Sequence, residues 1–411
     1  MSIFTDADSL AQQIGIAFVL AFLVTLIVRY ILLLWLGYLH HIENRRRAHE
    51  ETPAPEPPVT IIVPVYNEEA VIVPALRSLL ALRYSSLEII VVDDGSTDGT
   101  LERAASLEGR YGPMTLRVVS KRNGGKASAL NAGIALARHA YVLCMDGDSR
   151  LDPGTLRAAM RHFADPRVGA VAGNVKVVNR DNVWTCLQAL EYLEGLNMAR
   201  RAQGFLRVVN IIPGPIGIFR RDVLRAAGGY DTDTFAEDAD LTLKLLTAGW
   251  HIVYEDRAIA YTEAPERFVD LVKQRYRWTR GILQALRKRR EWLSSPRRAP
   301  LIWGSLVAMF FEAVLWPVMN VLGNLFFTVV ALAAGAATGV VYWWVLLTML
   351  DVAAALYAVG IEGEELGLVP YAVLYRFLFI SMIDVAKLFA TAEEVARVRM
   401  TWGKLERAGR I

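Results

Sequence analysis

Two carboxylates follow a short apolar segment in YVLCMDGDSR, residues 141–150. Only Gly147 separates Asp146 from Asp148, so both side chains and the backbone between them can approach one small target. Mg²⁺ and Mn²⁺ take oxygen ligands and commonly bind through one or two carboxylates together with substrate phosphates. The pattern predicts a divalent-metal site at Asp146 and Asp148 that serves a diphosphate-linked substrate. A simple turn is the alternative for this segment taken alone.

Three further segments place polar residues directly after apolar runs. They are VPVYNEE (63–69), VDDGSTDGT (92–100) and KRNGGKASALNAG (121–133). Asp93 and Asp94 are positioned to accept hydrogen bonds from a base or a ribose. Lys126 stands after a glycine pair at a predicted helix start, where phosphate binds well. Capping and turn chemistry explains each segment alone, but four such strand ends in order are harder to explain in that way.

Two later segments add an acidic pair and an aromatic–basic group. DTFAEDADLTLKL (233–245) places Glu237 and Asp238 at the front of an amphipathic helix, where acids also complement the helix dipole. VKQRYRWTRG (272–281) places Gln274, Arg277 and Trp278 on another helix. For that helix, an interfacial segment with a tryptophan anchor is the alternative interpretation.

The elements that must position these residues alternate along the chain. Apolar, β-rich runs begin at residues 59, 87, 115 and 141, and the segments 68–83, 98–111 and 125–140 between them have helical patterns. Strands that are apolar on both faces and joined by helices indicate an α/β fold with a mostly parallel sheet. In such folds ligands bind at the carboxyl ends of the strands, which is where the polar residues fall.

Both ends of the chain are membrane-like. Residues 14–38 are long enough to span a bilayer, and the basic HHIENRRR that follows predicts a cytoplasmic C-terminal side for an uncleaved anchor. From Leu301 to about Ala390 three apolar runs predict three or four further segments. Six charged residues fall within these apolar stretches, which predicts partners or a polar path for them. They are Arg29, Glu312, Asp351, Arg376, Asp384 and Lys387.

Composition excludes several other classes of protein. The 411 residues carry a formal net charge of only +3, which gives no support for nucleic-acid binding. The two cysteines, Cys144 and Cys186, provide neither a disulfide framework nor zinc-ligand spacing, which suits a reducing compartment.

The motifs in this order, with membrane spans at both ends, resemble processive family 2 glycosyltransferases. That group contains the cellulose, chitin, hyaluronan and poly-N-acetylglucosamine synthases. The resemblance covers about residues 58–290 in motif, and IPGPIGIFRRD (212–222) looks like the family's Gly-Pro loop beside the acceptor sugar. The common Thr-Glu-Asp reads Ala236-Glu237-Asp238 here, so any role of the threonine hydroxyl is in doubt.

The resemblance implies a Rossmann-like, nucleotide-diphospho-sugar transferase (GT-A) domain and a role for each matching residue. It implies Asp238 as the catalytic base with Glu237 beside it, and Asp146 and Asp148 as ligands of Mg²⁺ or Mn²⁺. The remaining implied residues bind nucleotide, diphosphate or sugar. They are Tyr66, Glu68, Asp93, Asp94, Lys126, Asp146, Gly214, Pro215, Gln274, Arg277 and Trp278.

The predicted domain organisation follows from these observations. It comprises a membrane anchor and basic flank (1–50), a proline-rich linker (51–58), a cytosolic transferase domain (59–265), an amphipathic interface region (266–300), membrane helices (301–391) and a basic tail (392–411).

The predicted function is an inverting, processive transferase of the inner membrane that polymerises a β-glycan from a cytosolic UDP-sugar and passes it outward. UDP-N-acetylglucosamine is the favoured donor. The predicted partners are the donor, the growing glycan, the lipid bilayer and a small membrane accessory subunit, without nucleic acid. Three alternatives stay open: a synthase of another β-glycan, a transferase that adds one sugar to a lipid carrier, and a nucleotide-binding transporter or scaffold.

Overall fold

The computed structural model describes residues 2–49, 56–333 and 337–398. Nine strands form one sheet in the order β3-β4-β2-β1-β5-β8-β7-β9-β6. The strands are β1 (Val59–Val65), β2 (Leu87–Asp93), β3 (Gly109–Tyr111), β4 (Met114–Ser120), β5 (Tyr141–Cys144), β6 (Ser149–Leu151), β7 (Val168–Val177), β8 (Gly217–Arg220) and β9 (His251–Thr262).

Helices cover the sheet and join it to the apolar ends of the chain. Those between residues 56 and 299 are α2 (Ile72–Leu80), α3 (Thr100–Ala105), α4 (Lys126–Leu136), α5 (Thr155–Met160), α6 (Val183–Glu191), α7 (Met198–Phe205), α8 (Arg221–Ala226), α9 (Glu237–Thr247), α10 (Phe268–Lys288) and α11 (Arg290–Leu293). A 3₁₀ turn (Arg161–Ala164) follows α5, and a π-helical turn (Tyr192–Asn197) joins α6 to α7.

The predicted α/β architecture is confirmed in the first half of the domain. All seven residues of β1 and of β2 are buried, which explains why these strands are apolar without alternation. β1 pairs in parallel with β2 and β5, and β2 pairs in parallel with β4. The polar residues that follow β1, β2, β4 and β5 therefore emerge at one edge of the sheet.

Two expectations about secondary structure were wrong. The sheet is mixed, because four of its eight strand pairings are antiparallel; the parallel pairings are those within the block β4-β2-β1-β5 and the pairing of β7 with β9. The helix expected over 98–111 ends at Ala105, and the chain then forms the edge strand β3. Gly112, with φ of +61°, makes the turn into β4, a backbone conformation that glycine adopts without strain.

Four described helical segments are long and apolar enough to cross a membrane: residues 13–47, 300–329, 337–362 and 366–395. They comprise most of α1 (Ser2–His49), then α12 (Pro300–Phe310) with α13 (Trp316–Ala333), α14 (Ala337–Glu362), and α15 (Tyr371–Leu374) with α16 (Ser381–Val395). π-helical turns interrupt the second and the fourth segments. Most of the predicted linker, residues 51–55, and the tail after residue 398 lie outside the described residues.

The six charged residues of the apolar stretches pair within the chain. Arg29 Nε lies 2.6 Å from Glu312 Oε1, and Arg376 Nη2 lies 2.6 Å from Asp351 Oδ1. Lys387 Nζ lies 3.8 Å from Asp384 Oδ1. None of the six therefore needs a second subunit to neutralise its charge.

One buried arginine joins the sheet domain to a membrane-type helix. Arg201 of α7 contacts Asp256 of β9 at 2.7 Å and Glu362, the last residue of α14, at 2.7 Å. The side chains of Arg201 and Glu362 are 2% and 1% exposed. Asn174 of β7 also donates to Glu362. The end of α14 is thus held directly against the sheet.

Candidate active site

Lys126 brings two acidic segments together at the carboxyl edge of the sheet. Its Nζ lies 2.6 Å from Asp146 Oδ1 and 2.8 Å from Glu237 Oε1. Lys126 is the first residue of α4, Asp146 follows β5, and Glu237 begins α9. Three segments that are far apart in the sequence therefore meet at one ammonium group.

The loop before β8 covers this ion pair. A Cβ atom built at Gly214 would lie 2.8 Å from Asp146 Oδ2 and 2.9 Å from Lys126 Nζ. A side chain at this position would push the ends of these two side chains aside, so glycine allows the loop to lie directly over the pair. Pro215 follows in the same loop, where the Ile216 amide bonds to the Pro213 carbonyl.

A narrow cleft opens beside Lys126. Its polar lining includes Glu237 and Asp238, and its apolar lining is supplied by the end of β5, the Gly214 loop and Tyr230. Cys144 also lines the cleft, and burial raises the pKa of its thiol to about 12. A thiol that stays protonated at neutral pH is a poor nucleophile.

Asp238 lines the same cleft and has a raised pKa. Burial, and then the negative charge of Glu237, raise its pKa to about 6, while Lys126 opposes this shift. Its Oδ1 accepts a hydrogen bond from the Ala239 amide at 2.7 Å. A carboxylate with this pKa is ionised at neutral pH and still has useful proton affinity, which is what general-base catalysis needs.

Asp93 and Asp94 are buried and bonded within the chain. Asp94 accepts from Lys121 Nζ at 2.6 Å and from the Gly125 amide at 2.6 Å. Asp93 accepts from Ser120 Oγ at 2.9 Å. Asp94 therefore fixes the glycine loop immediately before Lys126, a task that is additional to the nucleotide contact predicted for it.

The turn between β5 and β6 is tightly confined. A Cβ atom at Gly147 would lie 2.4 Å from Glu68 Oε2 and 3.0 Å from the Pro64 carbonyl oxygen. Asp148, after Gly147, is 2% exposed, and Asp146 retains 26% exposure of its side chain. Glu68 therefore lies against the predicted metal motif. Tyr66, which directly follows β1, is 38% exposed.

The donor atoms here suit a divalent cation. Asp146 and Asp148 offer carboxylate oxygens from either side of one glycine, and the Asp146 side chain is 26% exposed, so an ion can reach it. Hard divalent cations take such oxygen ligands. The residues present fit the predicted group.

A second acidic cluster is not suited to a divalent cation. Asp231, Asp233 and Asp240 approach one another closely enough to share an ion. Lys288 Nζ, however, contacts all three, at 3.0 Å from Asp231 and 3.1 Å from Asp240. A lysine ammonium already supplies the positive charge, so this cluster is a structural salt-bridge network.

The third predicted group lies along α10. Gln274 is buried and accepts from Arg275, whose guanidinium stacks 4.2 Å from the Trp278 ring centre. Gly281, one turn after Arg277, packs against Ala236, the residue before Glu237. The face of α10 that bears Gln274 and Arg277 thus runs toward the start of α9.

The structure adds residues that the motifs alone do not indicate. Lys121 holds Asp94, Arg275 holds Gln274, and Tyr230 lines the cleft. Lys121 lies five residues before Lys126, and Arg275 is adjacent to Gln274. Proximity to a predicted site residue in the sequence was therefore the signal that could have found them. Tyr230 follows a glycine pair outside every motif, and nothing in its neighbourhood marks it. The roles given to all these residues remain predictions.

Comparison with known proteins gives consistent results. A family described as "Glycosyltransferase like family 2" matches residues 57–281. The poly-β-1,6-N-acetyl-D-glucosamine synthase of Staphylococcus aureus (strain COL) is 34% identical over 224 residues, 54% of each chain. That of Staphylococcus epidermidis (strain ATCC 35984) is 33% identical over the same shares. The chain thus spans about half the length of the curated relatives it matches.

A solved structure shares the fold. A mannosyltransferase from Pyrobaculum calidifontis, in complex with GDP-Man and Mn²⁺, superposes with a TM-score of 0.63 at 23% identity. The match covers 93% of this chain and 99% of that one. With the family match over residues 57–281, the predicted resemblance is confirmed. The chain belongs to glycosyltransferase family 2 and is a glycosyltransferase with a GT-A fold.

Proposed function

We propose that this glycosyltransferase is a membrane-embedded, inverting and processive synthase of a β-linked glycan, with UDP-N-acetylglucosamine as its donor. One observation carries the proposal: Lys126 bridges the Asp-Gly-Asp turn and the Glu237–Asp238 pair across 2.6 and 2.8 Å. This geometry supports the proposal, because it brings a cationic group suited to a diphosphate and an acidic helix start to one cleft.

The donor side of the cleft would hold the sugar diphosphate. Burial alone would lower the pKa of Lys126, but the carboxylates of Asp146 and Glu237 raise it well above its ordinary value. Lys126 is therefore charged at working pH and suited to a diphosphate. Asp146 and Asp148 would hold Mg²⁺ or Mn²⁺, which when bound offsets the negative charge of the leaving diphosphate. We assign the uridine end to Asp93, Asp94 and Tyr66.

The acceptor side would supply the base. Asp238 takes the proton from the acceptor hydroxyl while that oxygen attacks C1 of the donor sugar. The bond from C1 to the diphosphate oxygen breaks, its electron pair leaves with UDP, and the anomeric configuration inverts. Such general-base assistance typically contributes about 10²–10⁴ in rate. Trp278 offers a flat apolar face to the terminal sugar, and Gln274 and Arg277 contact the leaving diphosphate.

The names of the relatives support the choice of sugar. The staphylococcal proteins are named as poly-β-1,6-N-acetyl-D-glucosamine synthases, and their similarity covers the transferase portion of this chain. We therefore favour a β-1,6-linked poly-N-acetylglucosamine over cellulose, chitin or hyaluronan. The QRYRW segment, similar to that of processive synthases, favours a polymer over the transfer of one sugar to a lipid carrier.

The membrane topology completes the proposal. The four membrane-type helices and the basic flank after residue 38 favour an inner-membrane protein whose transferase domain faces the cytoplasm. In this arrangement the glycan leaves through the chain's own helices. An accessory subunit remains a predicted partner, and the paired charges of the membrane helices give it no support.

The test is an assay of purified protein in nanodiscs with a panel of UDP-sugars and Mg²⁺ or Mn²⁺. We expect UDP-N-acetylglucosamine to yield a ladder of long chains that a β-1,6-specific glycosidase degrades, and we expect EDTA to abolish turnover. A single lipid-linked sugar would contradict processivity, and activity without a divalent ion would remove the role given to Asp146 and Asp148.

The catalytic assignment is tested separately with Asp238→Asn. Replacing the base by an amide of the same shape should lower UDP release by at least about 10²-fold, because the amide cannot accept the proton. Asp222→Asn is the matched control: Asp222 is exposed, accepts a hydrogen bond from the Val223 amide of its own helix and lies outside the cleft. Undiminished UDP release in Asp238→Asn would show that Asp238 is not the catalytic base.

A further inference from the structure

The end of the last membrane-type helix packs against α10. Arg280 of α10 is buried, and its Nε lies 2.9 Å from Glu394 Oε2 of α16. Its Nη2 donates to the Val398 carbonyl at 2.6 Å. One turn earlier, the Tyr276 hydroxyl bonds to Glu393. The Arg280 and Glu394 side chains are 4% and 13% exposed, so water screens this ion pair little.

Gln284 extends this contact to the loop that precedes α9. Its Nε2 donates to Glu394 Oε2 at 3.1 Å, and its Oε1 accepts from the Phe235 amide at 3.1 Å. Both the nitrogen and the oxygen of the Gln284 side-chain amide are therefore hydrogen-bonded, and these two bonds fix the orientation of the amide. We call the chain of contacts Phe235–Gln284–Glu394 the Gln284 bridge.

The bridge ends three residues before Asp238. Ala236, the N-cap residue of α9, provides no side-chain hydrogen bond to the helix. A Cβ atom at Gly281 would lie 2.4 Å from Ala236 Cβ and 2.6 Å from its amide nitrogen, so α10 presses directly on this loop. Because α9 lacks a side-chain cap at its start, its first turn, with Asp238, is held by these contacts with α10 together with the Lys126–Glu237 ion pair.

We propose that Gln284 and Glu394 are positioning residues: through the Gln284 bridge they set the place of Asp238 and join the loop of the proposed base to the last membrane-type helix. This inference rests on the proposed function, because it takes Asp238 as the base. The donor-side residues Lys126 and Asp146 take no part in the bridge. Its loss should therefore affect the chemical step and leave donor binding intact.

The test uses a carboxylate at the centre of the bridge. In Gln284→Glu the retained oxygen still accepts from the Phe235 amide, but the oxygen that replaces the amide nitrogen now faces the Glu394 carboxylate. We expect kcat to fall about 10- to 100-fold, because sub-ångström to 1 Å displacements of catalytic groups cost this much. The KM for the UDP-sugar should change by less than about twofold, which is the pattern of a lost transition-state interaction.

A second substitution should restore the bridge. In the double variant Gln284→Glu/Glu394→Gln the amide and the carboxylate exchange places, so one donor and one acceptor face each other again and Arg280 keeps a carboxylate within its surroundings. We expect kcat to return to within about threefold of the unmodified protein. Hydrogen–deuterium exchange of the peptide 231–240 should rise in the single variant and return in the double variant.

Arg287→Gln, an exposed change one turn further along α10, is the control and should leave kcat unchanged. Unchanged kcat in Gln284→Glu, or a double variant no more active than the single one, would overturn the inference while Asp238→Asn remains inactive. Full turnover in Asp238→Asn would overturn the proposed function and this inference with it.

Discussion

Lys126 connects the acidic segments that line the cleft. A lysine with two carboxylate contacts keeps its own charge, because each ion pair favours the charged ammonium. Asp238 has a different environment: burial and the charge of Glu237 favour its protonated form. A carboxyl group whose pKa is raised in this way is suited to acid–base chemistry.

The raised pKa of Asp238 leads to a prediction for pH dependence. The base works only when ionised, so kcat/KM should fall as the pH drops through about 6, the value for Asp238. Glu237→Gln removes a negative charge that raises this pKa, so the acid limb of the profile should move to lower pH. The measurement is kcat/KM for the UDP-sugar between pH 5 and 8. An acid limb that moves upward in Glu237→Gln would contradict this account.

Asp94 illustrates that the sequence can predict the position of a site residue but not its hydrogen-bond partners. Its position after β2 was enough to predict a carboxylate at the binding edge. The groups that engage it, Lys121 and the Gly124 and Gly125 amides, stand 27 to 31 residues further along the chain. Only the parallel pairing of β2 with β4 brings them to Asp94, so the engagement depends on tertiary structure.

Among the elements, the turn from β5 to β6 has the least room. The close contact of Gly147 with the Pro64 carbonyl belongs to backbone that is paired in the sheet and cannot retreat. We predict that Gly147→Ala shifts the turn, raises the Mg²⁺ concentration needed for half-maximal activity, and lowers kcat/KM by about 10²-fold.

Gly154→Ala is the matched control for this glycine. A Cβ atom there would meet only Asp152 Oδ1, at 3.4 Å, an ordinary contact distance. Its φ of −89° is also accessible to alanine. Activity of Gly154→Ala should stay within about twofold of the unmodified protein, since it removes only backbone freedom of the unfolded chain. Equal activity in the two variants would show that the turn is not confined.

Element types were predictable where packing and local pattern agree. β1 and β2 were found because strands buried on both faces are continuously apolar, and β4 and β5 because their short runs are rich in apolar residues. The segment 98–111 was predicted as one helix, but its second half contains Gly109, is followed by the turn at Gly112, and gains an antiparallel partner in β4. The antiparallel strands β7 and β8 are paired through tertiary contacts that no local pattern signals.

On the scale of the whole molecule, Arg201 joins the sheet to α14. Its replacement would leave Asp256 and Glu362 buried without a countercharge. We predict that Arg201→Met lowers the free energy of unfolding by about 3–5 kcal/mol, the usual cost of breaking a buried ion pair from one side. The check is the thermal unfolding midpoint in nanodiscs.

Arg167→Met serves as the control, because Arg167 forms its ion pair with Asp165 at the surface, with 67% of its side chain exposed. Exposed pairs contribute little. A midpoint that falls as much in Arg167→Met as in Arg201→Met would mean that the burial of Arg201 has no special weight.

In the membrane-type helices, the sequence likewise shows which residues are charged but not how they pair. The charged residues were visible in the sequence, because ionisable groups stand out in apolar segments. Their pairing was not predictable, since Arg29 and Glu312 are 283 residues apart and meet only when α1 packs beside the start of the second membrane-type segment.

Under the proposed function, the anchoring of the sheet by Arg201 has a consequence for polymer growth. A transferase domain that is held against the end of α14 keeps its cleft at a constant height above the lipid surface. For a processive enzyme with such a cleft, the product has to slide forward by one sugar unit in every cycle. The movement that advances the product would then come from small segments near the sugar, such as the first turn of α9, and not from a rotation of the whole transferase domain.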